Sequence, residues 1–155
     1  MTTDAKEEQQ LAESVVRLMM ARDAFSRSLG MSIVEVAPRR STCRLTVRPD
    51  MMNGFGVCHG AVTYALADSA LAFACNTHGR VTMAIENSIG YPAAVSIGDV
   101  LTAVAVEDSA TNRLGFYTVR VTNQNGTVVA MFRGTVFRTK IEHLITNTPK
   151  DSAAQ

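Results

Sequence analysis

The sequence predicts an α+β domain in which one long, apolar helix packs on one face of an antiparallel sheet of five or six strands. Residues 61–75 contain a single charged side chain, Asp68, among apolar and small residues at helical spacing. The second half of the chain is a series of β-rich segments separated by turn residues. Helices and strands do not alternate as in parallel α/β folds, so we expect antiparallel pairing.

Length and composition fit one domain with room for a hydrophobic core. The chain of 155 residues divides into an N-terminal helical extension (1–24), one domain (25–140) and a polar C-terminal tail (141–155). Its 15 basic and 14 acidic residues are spread evenly, and the formal net charge is +1. Basic residues are not interleaved with aromatic ones, so we expect no nucleic-acid partner.

Cysteine usage and hydropathy indicate the cellular compartment. Cys43, Cys58 and Cys75 are odd in number and lack CxxC spacing, which is typical of reduced thiols in a cytosolic protein. The segment from Thr2 to Gln10 is polar and lacks the apolar region of a signal peptide. No apolar run reaches the roughly 18 residues that span a bilayer. We therefore expect a soluble cytoplasmic protein with no membrane partner.

The first half of the chain is expected to contain most of the helical structure. Apolar residues at helical spacing and the terminators Gly30 and Asn76-Thr-His-Gly79 set the expected helix limits. The expected elements are a helix at 5–24, a helical turn at 25–29, strands at 31–37 and 42–47, and the central helix from about 59 to 76.

The second half is expected to form strands at 81–91, 100–107, 116–124 and 127–138. Asn125-Gly126 predicts a two-residue hairpin, because both positions tolerate positive φ. Residues 128–132 are consecutively apolar, which predicts a strand covered on both faces. Because one helix covers only one face of a sheet, we expect the second face to meet another subunit.

The central helix and the loop before it combine two features that suit acyl chemistry. Asp68 loses hydration among apolar neighbours, which is costly unless the carboxylate is paired or used. The glycine-rich loop Asn53–Gly60 leads into the helix N-terminus, where N–H groups lack intrahelical partners and carry partial positive charge. An oxyanion-binding N–H and a carboxylate in one segment therefore predict acyl transfer or hydrolysis.

These residues resemble a known family, the hotdog-fold acyl-CoA thioesterases of the phenylacetate-degradation type (PaaI-type). The likeness covers about residues 20–140. It implies the hotdog fold, in which the sheet wraps around the central helix. It also implies hydrolysis of an acyl-CoA, with phenylacetyl-CoA or a hydroxyaryl-acyl-CoA as the expected substrate and no metal or other cofactor. The matching motifs are Asn53-Gly54, Cys58-His59-Gly60, Leu66-Ala-Asp-Ser-Ala70, Ala74-Cys-Asn76 and Val129-Ala-Met-Phe-Arg-Gly134.

The sequence departs from the family pattern at two places. Ala61 stands where the family usually has a second glycine after His-Gly, a change that leaves the Gly60 N–H in place. Gly90-Tyr91-Pro92 stands where Leu-Arg-Pro is common. The second change removes a basic residue near the expected CoA path.

The separation of Gly60 and Asp68 predicts a site shared by two chains. Eight residues of α-helix span roughly 12 Å, so one carbonyl group cannot contact both residues of the same chain. Two antiparallel helices across a two-fold axis would pair Gly60 with Asp68 of the partner subunit and give two equivalent sites per homodimer. The resemblance implies the same arrangement, and we expect two dimers to form a homotetramer.

Four residues are the candidates for chemistry. Asp68 is expected to attack the thioester carbon or to activate water; the structural alternative is a buried aspartate bonded to polar side chains. The Gly60 N–H is expected to stabilise the oxyanion, unless the glycine serves only the tight entry to the helix. His59 could bond the thioester or the pantetheine arm, or simply cap the helix. Asn53 could orient water or hold the Asp68 carboxylate, or simply form an Asn-Gly turn.

Substrate contacts are expected from the strand beside the helix and from surface arginines. The polar residues of that strand are weak candidates, and the Gly-Tyr pair at its end lies on the expected CoA path. Two arginines are candidates for the CoA phosphates, although a solvated surface position is common for this residue type. The candidates are Thr82, Ser88, Gly90, Tyr91, Arg113 and Arg138.

Other chemistries are less well supported. A Cys58–His59 dyad is disfavoured, because adjacent residues at a helix start point in different directions. His78 and His143 are isolated, and no HxxxH or HExxH spacing occurs, so we expect no metal site. A hotdog dehydratase or hydratase would need a His and a carboxylate as an acid–base pair. A non-catalytic acyl-CoA-binding module would be favoured if Asp68 were sealed from any pocket.

Overall fold

The computed structural model of the protein describes residues 3–144. In this part of the chain, α-helices and one antiparallel sheet form the α+β architecture that the sequence predicts. A short 3₁₀ helix at Pro49–Met51 lies in the loop before the central helix. The elements are α1 (Thr3–Arg22), α2 (Ala24–Ser28), β1 (Ser32–Ala37), β2 (Arg40–Thr46), α3 (Gly60–Asn76), β3 (Arg80–Gly90), β4 (Val100–Ala110), β5 (Leu114–Thr122) and β6 (Val128–Glu142).

The sheet has six strands in the order β1-β2-β4-β5-β6-β3, and all neighbours are antiparallel. The central helix α3 lies on one face and contacts strands β2 to β6. After α3 the chain does not enter the middle of the sheet. Instead, β3 pairs with β6 at the edge, which places its residues beside the helix that precedes it.

Burial of the apolar surface of α3 is the main source of the core. Leu66, Leu71 and Phe73 are at most 1% exposed. Each such side chain contributes about 1.5–3 kcal/mol when removed from water. Ala67 and Ala70 are fully buried, and their small size lets the helix backbone lie close to the strands.

The N-terminal extension packs on this layer. Ala12, Val15 and Val16 of α1 are at most 1% exposed, and the helix contacts β1 and α3. The predicted helix at 5–24 is thus present with its limits shifted two residues toward the N-terminus. Within residues 3–144, no helix combines the length and the hydropathy required to cross a membrane.

Two predictions about the second half were wrong in detail. Strand β6 continues to Glu142 because it pairs with β3 as far as Arg80, so the boundary of the predicted tail at 141 falls inside a strand. The rest of that tail from 145 onward lies outside the described residues. The predicted two-residue hairpin is a longer loop, in which the Asn123 side chain accepts hydrogen bonds from the N–H groups of Asn125 and Thr127. Of the Asn-Gly pair, only the glycine has a positive φ, +78°.

Side chains of α3 and β3 pack tightly against Gly134 of β6. A Cβ atom at this position would lie 2.4 Å from Cδ2 of Leu71 and 2.8 Å from Oδ1 of Asn87. Real Cβ atoms do not come this close to a neighbour, so a larger residue would force the buried Leu71 side chain and the Asn87 amide to shift. Gly134 therefore leaves the space that these two side chains occupy between α3 and the β3–β6 edge.

Gly134→Ala is expected to destabilise the protein by about 1–3 kcal/mol, the usual cost of overpacking a tight core. The matched control is Gly54→Ala, because a Cβ atom at Gly54 meets nothing within 4 Å. Urea denaturation at one protein concentration measures both. Equal transition midpoints for the Gly134 variant and the wild type would contradict the close helix–sheet packing.

Candidate active site

The loop before α3 is shaped by Asn53. Its Oδ1 accepts hydrogen bonds from the N–H groups of Phe55 (2.9 Å) and Val57 (3.3 Å), and its own N–H donates to the Val57 carbonyl. These contacts match the Asn-Gly turn that the sequence predicts as one alternative. No hydrogen bond joins Asn53 to Asp68 within residues 3–144. Asn53 therefore does not hold the Asp68 carboxylate of its own chain, which was the second proposed role.

His59 is the N-cap of α3. Its Nδ1 accepts a hydrogen bond from the Ala61 N–H at 3.1 Å, and its backbone N–H donates to the Met51 carbonyl. This is the helix-capping alternative for His59. When the imidazole is neutral, the bond to Nδ1 requires the proton to sit on Nε2. The side chain is exposed, so that Nε2–H points away from the cap.

Gly60 is the first residue of α3, and within the described chain its N–H meets no hydrogen-bond acceptor. The Tyr91 hydroxyl donates to the Gly60 carbonyl at 3.0 Å. A Cβ atom at Gly60 would lie 3.2 Å from Cζ of Tyr91, so the glycine makes room for this aromatic ring. Gly60 and Tyr91 line a cavity of about 400 Å³, together with Val57, Cys58, Thr63, Pro92, Ala93, Ala94 and Val95.

Asp68 lies on α3, two turns beyond Gly60, and is half-buried. Its Oδ1 accepts a hydrogen bond from Nδ2 of Asn87 at 2.9 Å. Burial raises the pKa of the Asp68 carboxyl, and the bond from Asn87 opposes part of that rise. An ionised carboxylate with incomplete solvation is a stronger base and nucleophile than one in water. The bond from Asn87 is the contact that the structural alternative for Asp68 describes, and the half-buried carboxylate still reaches the surface of the single chain, as a reacting group must.

Sequence analysis missed two residues of this site, Asn87 and Tyr64. The Nδ2 of Asn87 lies 3.1 Å from the Tyr64 hydroxyl as well as bonding Asp68. A polar triplet, Glu86-Asn87-Ser88, interrupts the apolar strand and is a signal that could have found the first of them. Which member of the triplet faces α3 depends on the pairing of β3 with β6.

The predicted substrate residues of β3 lie in different surroundings. Thr82 is buried at the far end of α3, where its N–H and carbonyl both bond the Asn76 side chain at 2.9 Å. Ser88 is exposed and follows Asn87, so it lies on the opposite face of the strand. Gly90 ends β3 and is exposed. Of the predicted substrate residues, Tyr91 is the one that contacts Gly60, and Gly90 precedes it in the chain.

Arg113 and Arg138 line a second cavity of about 570 Å³, which also contains Arg80 and Lys140. The Arg138 guanidinium bonds Oε2 of Glu107 at 2.6 Å, and both side chains are mostly buried. Its charge is therefore compensated within the chain. Arg113 is exposed in the turn between β4 and β5, which leaves its guanidinium in contact with solvent.

The Cys58–His59 pair does not have the geometry of a dyad. The Cys58 thiol lies 3.7 Å from the His59 carbonyl, and the imidazole Nδ1 accepts from Ala61. Burial raises the pKa of the Cys58 thiol, which disfavours the thiolate. Within residues 3–144, no three His, Cys, Asp or Glu side chains cluster as a metal site would need.

A central helix against an antiparallel sheet, with a free N–H at the helix start and a carboxylate two turns on, defines a hotdog-fold thioester hydrolase. The family model for the thioesterase superfamily matches residues 55–130. The chain is 34% identical to the acyl-coenzyme A thioesterase PaaI of Escherichia coli K12 over 116 residues, which cover 75% of this chain and 83% of that protein. It is 31% identical to human acyl-coenzyme A thioesterase 13 over 133 residues, covering 82% and 93%.

Solved structures agree with this match. The structure of Escherichia coli PaaI, from the phenylacetic acid degradation operon, superposes with a TM-score of 0.85 at 31% identity. The match covers 86% of this chain and 97% of that one. The chain belongs to the thioesterase superfamily and has its PaaI-like hotdog fold, as the resemblance implied.

Asp68→Asn is expected to increase stability at neutral pH. Since the folded-state pKa of Asp68 is raised, the folded protein binds this proton more tightly than the unfolded chain, and ionisation weakens folding. The variant has its full gain in unfolding free energy at pH values above the folded-state pKa of Asp68. This gain disappears as the pH falls toward the pKa of Asp68 in the unfolded chain. Denaturation from pH 7 to pH 4 measures it.

The control for this series is Asp108→Asn, because the Asp108 side chain is exposed on β4. Its stability is expected to stay within about 0.5 kcal/mol of the wild type. A stability loss in Asp68→Asn at pH 7 would contradict a half-buried carboxylate whose lost hydration is only partly compensated.

Proposed function

We propose that the protein hydrolyses acyl-CoA thioesters to free acid and CoA at sites formed by two chains, with no metal or redox cofactor. The observation that carries this proposal is the pair of groups on α3. These are the free N–H of Gly60 at the helix start and the half-buried carboxylate of Asp68. Similarity to PaaI and to thioesterase 13, both named acyl-coenzyme A thioesterases, supports the substrate class.

In this mechanism the thioester oxygen accepts a hydrogen bond from the Gly60 N–H, assisted by the partial positive charge of the helix N-terminus. Such a donor typically stabilises the developing oxyanion in the transition state by about 3 kcal/mol. Asp68 of the partner subunit then acts in one of two ways. It attacks the carbonyl carbon to give an anhydride that water hydrolyses, or it removes a proton from an attacking water. In both courses the C–S bond breaks and CoA leaves.

Two exposed surfaces support the proposed homodimer and a homotetramer of two dimers. The edge strand β3 exposes Met83 (56%) and Ile85 (60%), beside the helix that carries the site. The outer face of the sheet exposes Phe116 (40%) and Met131 (45%). Pairing across the edge would bring two α3 helices antiparallel, as the roughly 12 Å between Gly60 and Asp68 requires. The outer face would then join the dimers.

The cavity beside Gly60 supports a preference for an aryl acyl group. The ring of Tyr91 and the apolar residues Pro92 and Val95 line it, and a phenylacetyl or hydroxyaryl-acyl group has matching size and polarity. For the CoA phosphates we propose Arg113, with Arg80 and Lys140 of the same cavity. Arg138 is the weaker candidate because Glu107 compensates its charge.

The proposed setting is phenylacetate degradation in the cytoplasm. Escherichia coli PaaI comes from the phenylacetic acid degradation operon, and the similarity of this chain to PaaI supports the same pathway. The free, buried thiols of Cys43, Cys58 and Cys75 support a reducing compartment. A hydratase is not favoured by any observation, since His59 caps the helix and bonds no acidic side chain within residues 3–144.

Asp68→Asn is expected to lower the turnover number by two to three orders of magnitude, the scale of losing a general base or nucleophile. Release of free CoA from a panel of acyl-CoAs, detected with a thiol reagent, measures this. Asp108→Asn serves as the control and should turn over normally. Activity of Asp68→Asn above a tenth of the wild type, on the preferred substrate, would contradict the assignment.

The shared site predicts complementation between two inactive variants. Gly60→Pro removes the donating N–H, and His59 already has the extended conformation (φ −63°, ψ 130°) that a following proline requires. Gly60→Ala adds the same Cβ atom beside Tyr91 but keeps the N–H, so it is the matched control.

Mixing Asp68→Asn with Gly60→Pro chains gives heterodimers with one intact site and one doubly altered site. Random exchange at equal amounts should restore about a quarter of wild-type activity, since half of the dimers are mixed and half of their sites are intact. Two folded, inactive variants that exchange subunits without any recovery would rule out a shared site.

A further inference from the structure

Asn87 lies between the two polar groups of α3 that face β3. Its Nδ2 is 2.9 Å from Oδ1 of Asp68 and 3.1 Å from the Tyr64 hydroxyl. One amide nitrogen with two N–H groups can donate to both oxygens at once. The amide therefore ties the carboxylate to the hydroxyl of a residue one helical turn earlier.

The rest of the molecule fixes the orientation of this amide. Its Oδ1 is buried against Gly134 and accepts no hydrogen bond from the described residues. Rotating the amide by 180° would place its Oδ1 against Oδ1 of Asp68 and lose that bond, although the Tyr64 hydroxyl could then donate to the amide oxygen. In the observed orientation, the buried amide oxygen lacks a hydrogen bond. In the rotated orientation, that oxygen would face the ionised carboxylate of Asp68, which costs more free energy. The donor therefore points at Asp68.

Tyr64 and Gly134 hold the amide from two sides. The Tyr64 ring packs edge-on against Phe132 of β6, with the ring centroids 5.4 Å apart. Gly134 leaves room for Oδ1 because it has no Cβ atom. Both contacts come from elements that also carry the core, so Asn87 cannot rotate away without disturbing the helix–sheet packing.

We propose that Asn87 is a positioning residue for Asp68: its Nδ2–H holds Oδ1, favours the ionised carboxylate and leaves Oδ2 for the thioester or the attacking water. Oδ2 accepts no hydrogen bond within the described chain. A carboxylate held at one oxygen keeps the other in one direction, which is what a directed attack requires. This inference rests on the proposed function for the role of Asp68.

The charged and titratable surroundings of Asp68 are few. On α3 they are Tyr64, which Asn87 connects to the carboxylate, and Cys75, whose pKa burial raises to about 12. On the facing strand β3, Asn87 itself is neutral at every pH. A change of the Asp68 pKa on substitution of Asn87 therefore comes from loss of the amide, through its hydrogen bond and its polarity, and not from a second titrating group.

The test is Asn87→Leu, which keeps the shape of the side chain and removes the donor. We expect kcat to fall about ten- to hundredfold with little change in KM, the scale of a misplaced reacting group. The acid limb of the kcat–pH profile should move to higher pH, because the ionised carboxylate loses a hydrogen bond that lowers its pKa.

The matched control is Thr118→Val, which removes a hydroxyl that donates to the Asp108 carboxylate at 3.1 Å elsewhere on the sheet. It should leave kcat and the acid limb unchanged. Asn87→Ala is the second variant, in case leucine prevents folding; the space it leaves admits water, so its loss of kcat should be smaller than that of leucine.

Each outcome decides the proposal. The positioning role is overturned if a folded Asn87 variant has the same acid limb in its kcat–pH profile as the wild type. This holds whether kcat is unchanged or falls while KM rises. If the wild type hydrolyses no acyl-CoA, the proposed function fails instead. A ¹³C NMR titration of the Asp68 carboxylate then still tests the contact. A higher Asp68 pKa in Asn87→Leu than in the wild type supports positioning, and an equal pKa overturns it.

Discussion

The structure is organised around the placement of one carboxylate, Asp68, on a largely apolar helix that has no other charged side chain. Such a helix gains stability by lying close to the sheet, but the charge loses hydration there. Among residues 3–144, the sheet supplies one compensating donor, the Asn87 amide of β3. That donor reaches the helix only because β3 returns along the edge beside β6 and because Gly134 leaves space for the amide oxygen.

The start of the same helix meets a different requirement, which is to leave one donor unused. The His59 imidazole caps the Ala61 N–H, and the Asn53 amide holds the loop in shape. Tyr91 bonds the Gly60 carbonyl and not its N–H. The polar groups around the helix N-terminus are therefore satisfied by neighbours, while the Gly60 N–H stays available for an oxyanion.

Sequence patterns could predict the elements but only part of the site. The central helix was expected at about 59–76 and occupies Gly60–Asn76, because an alanine-rich apolar segment between a glycine loop and a Gly79 terminator has few other conformations. Gly60 and Asp68 are predicted as site residues from the N–H groups at the helix start, the single charge on the helix and the family resemblance. The role of Asn87 could not be predicted, since it depends on the register between β3 and β6. The predicted two-residue hairpin was wrong, because the Asn123 side chain accepts a hydrogen bond from the Thr127 N–H and so closes a longer loop.

The central claim is that Gly60 of one chain and Asp68 of the partner subunit act on the same thioester. A crystal structure with a non-hydrolysable acyl-CoA analogue, in which a ketone replaces the thioester, tests it most directly. The account predicts the ketone oxygen about 2.7–3.1 Å from the Gly60 nitrogen. It also predicts the Asp68 carboxylate of the partner subunit within about 3.5 Å of the carbonyl carbon or of its attacking water. An analogue bound away from Gly60, or with no carboxylate of the other chain beside it, would contradict the account.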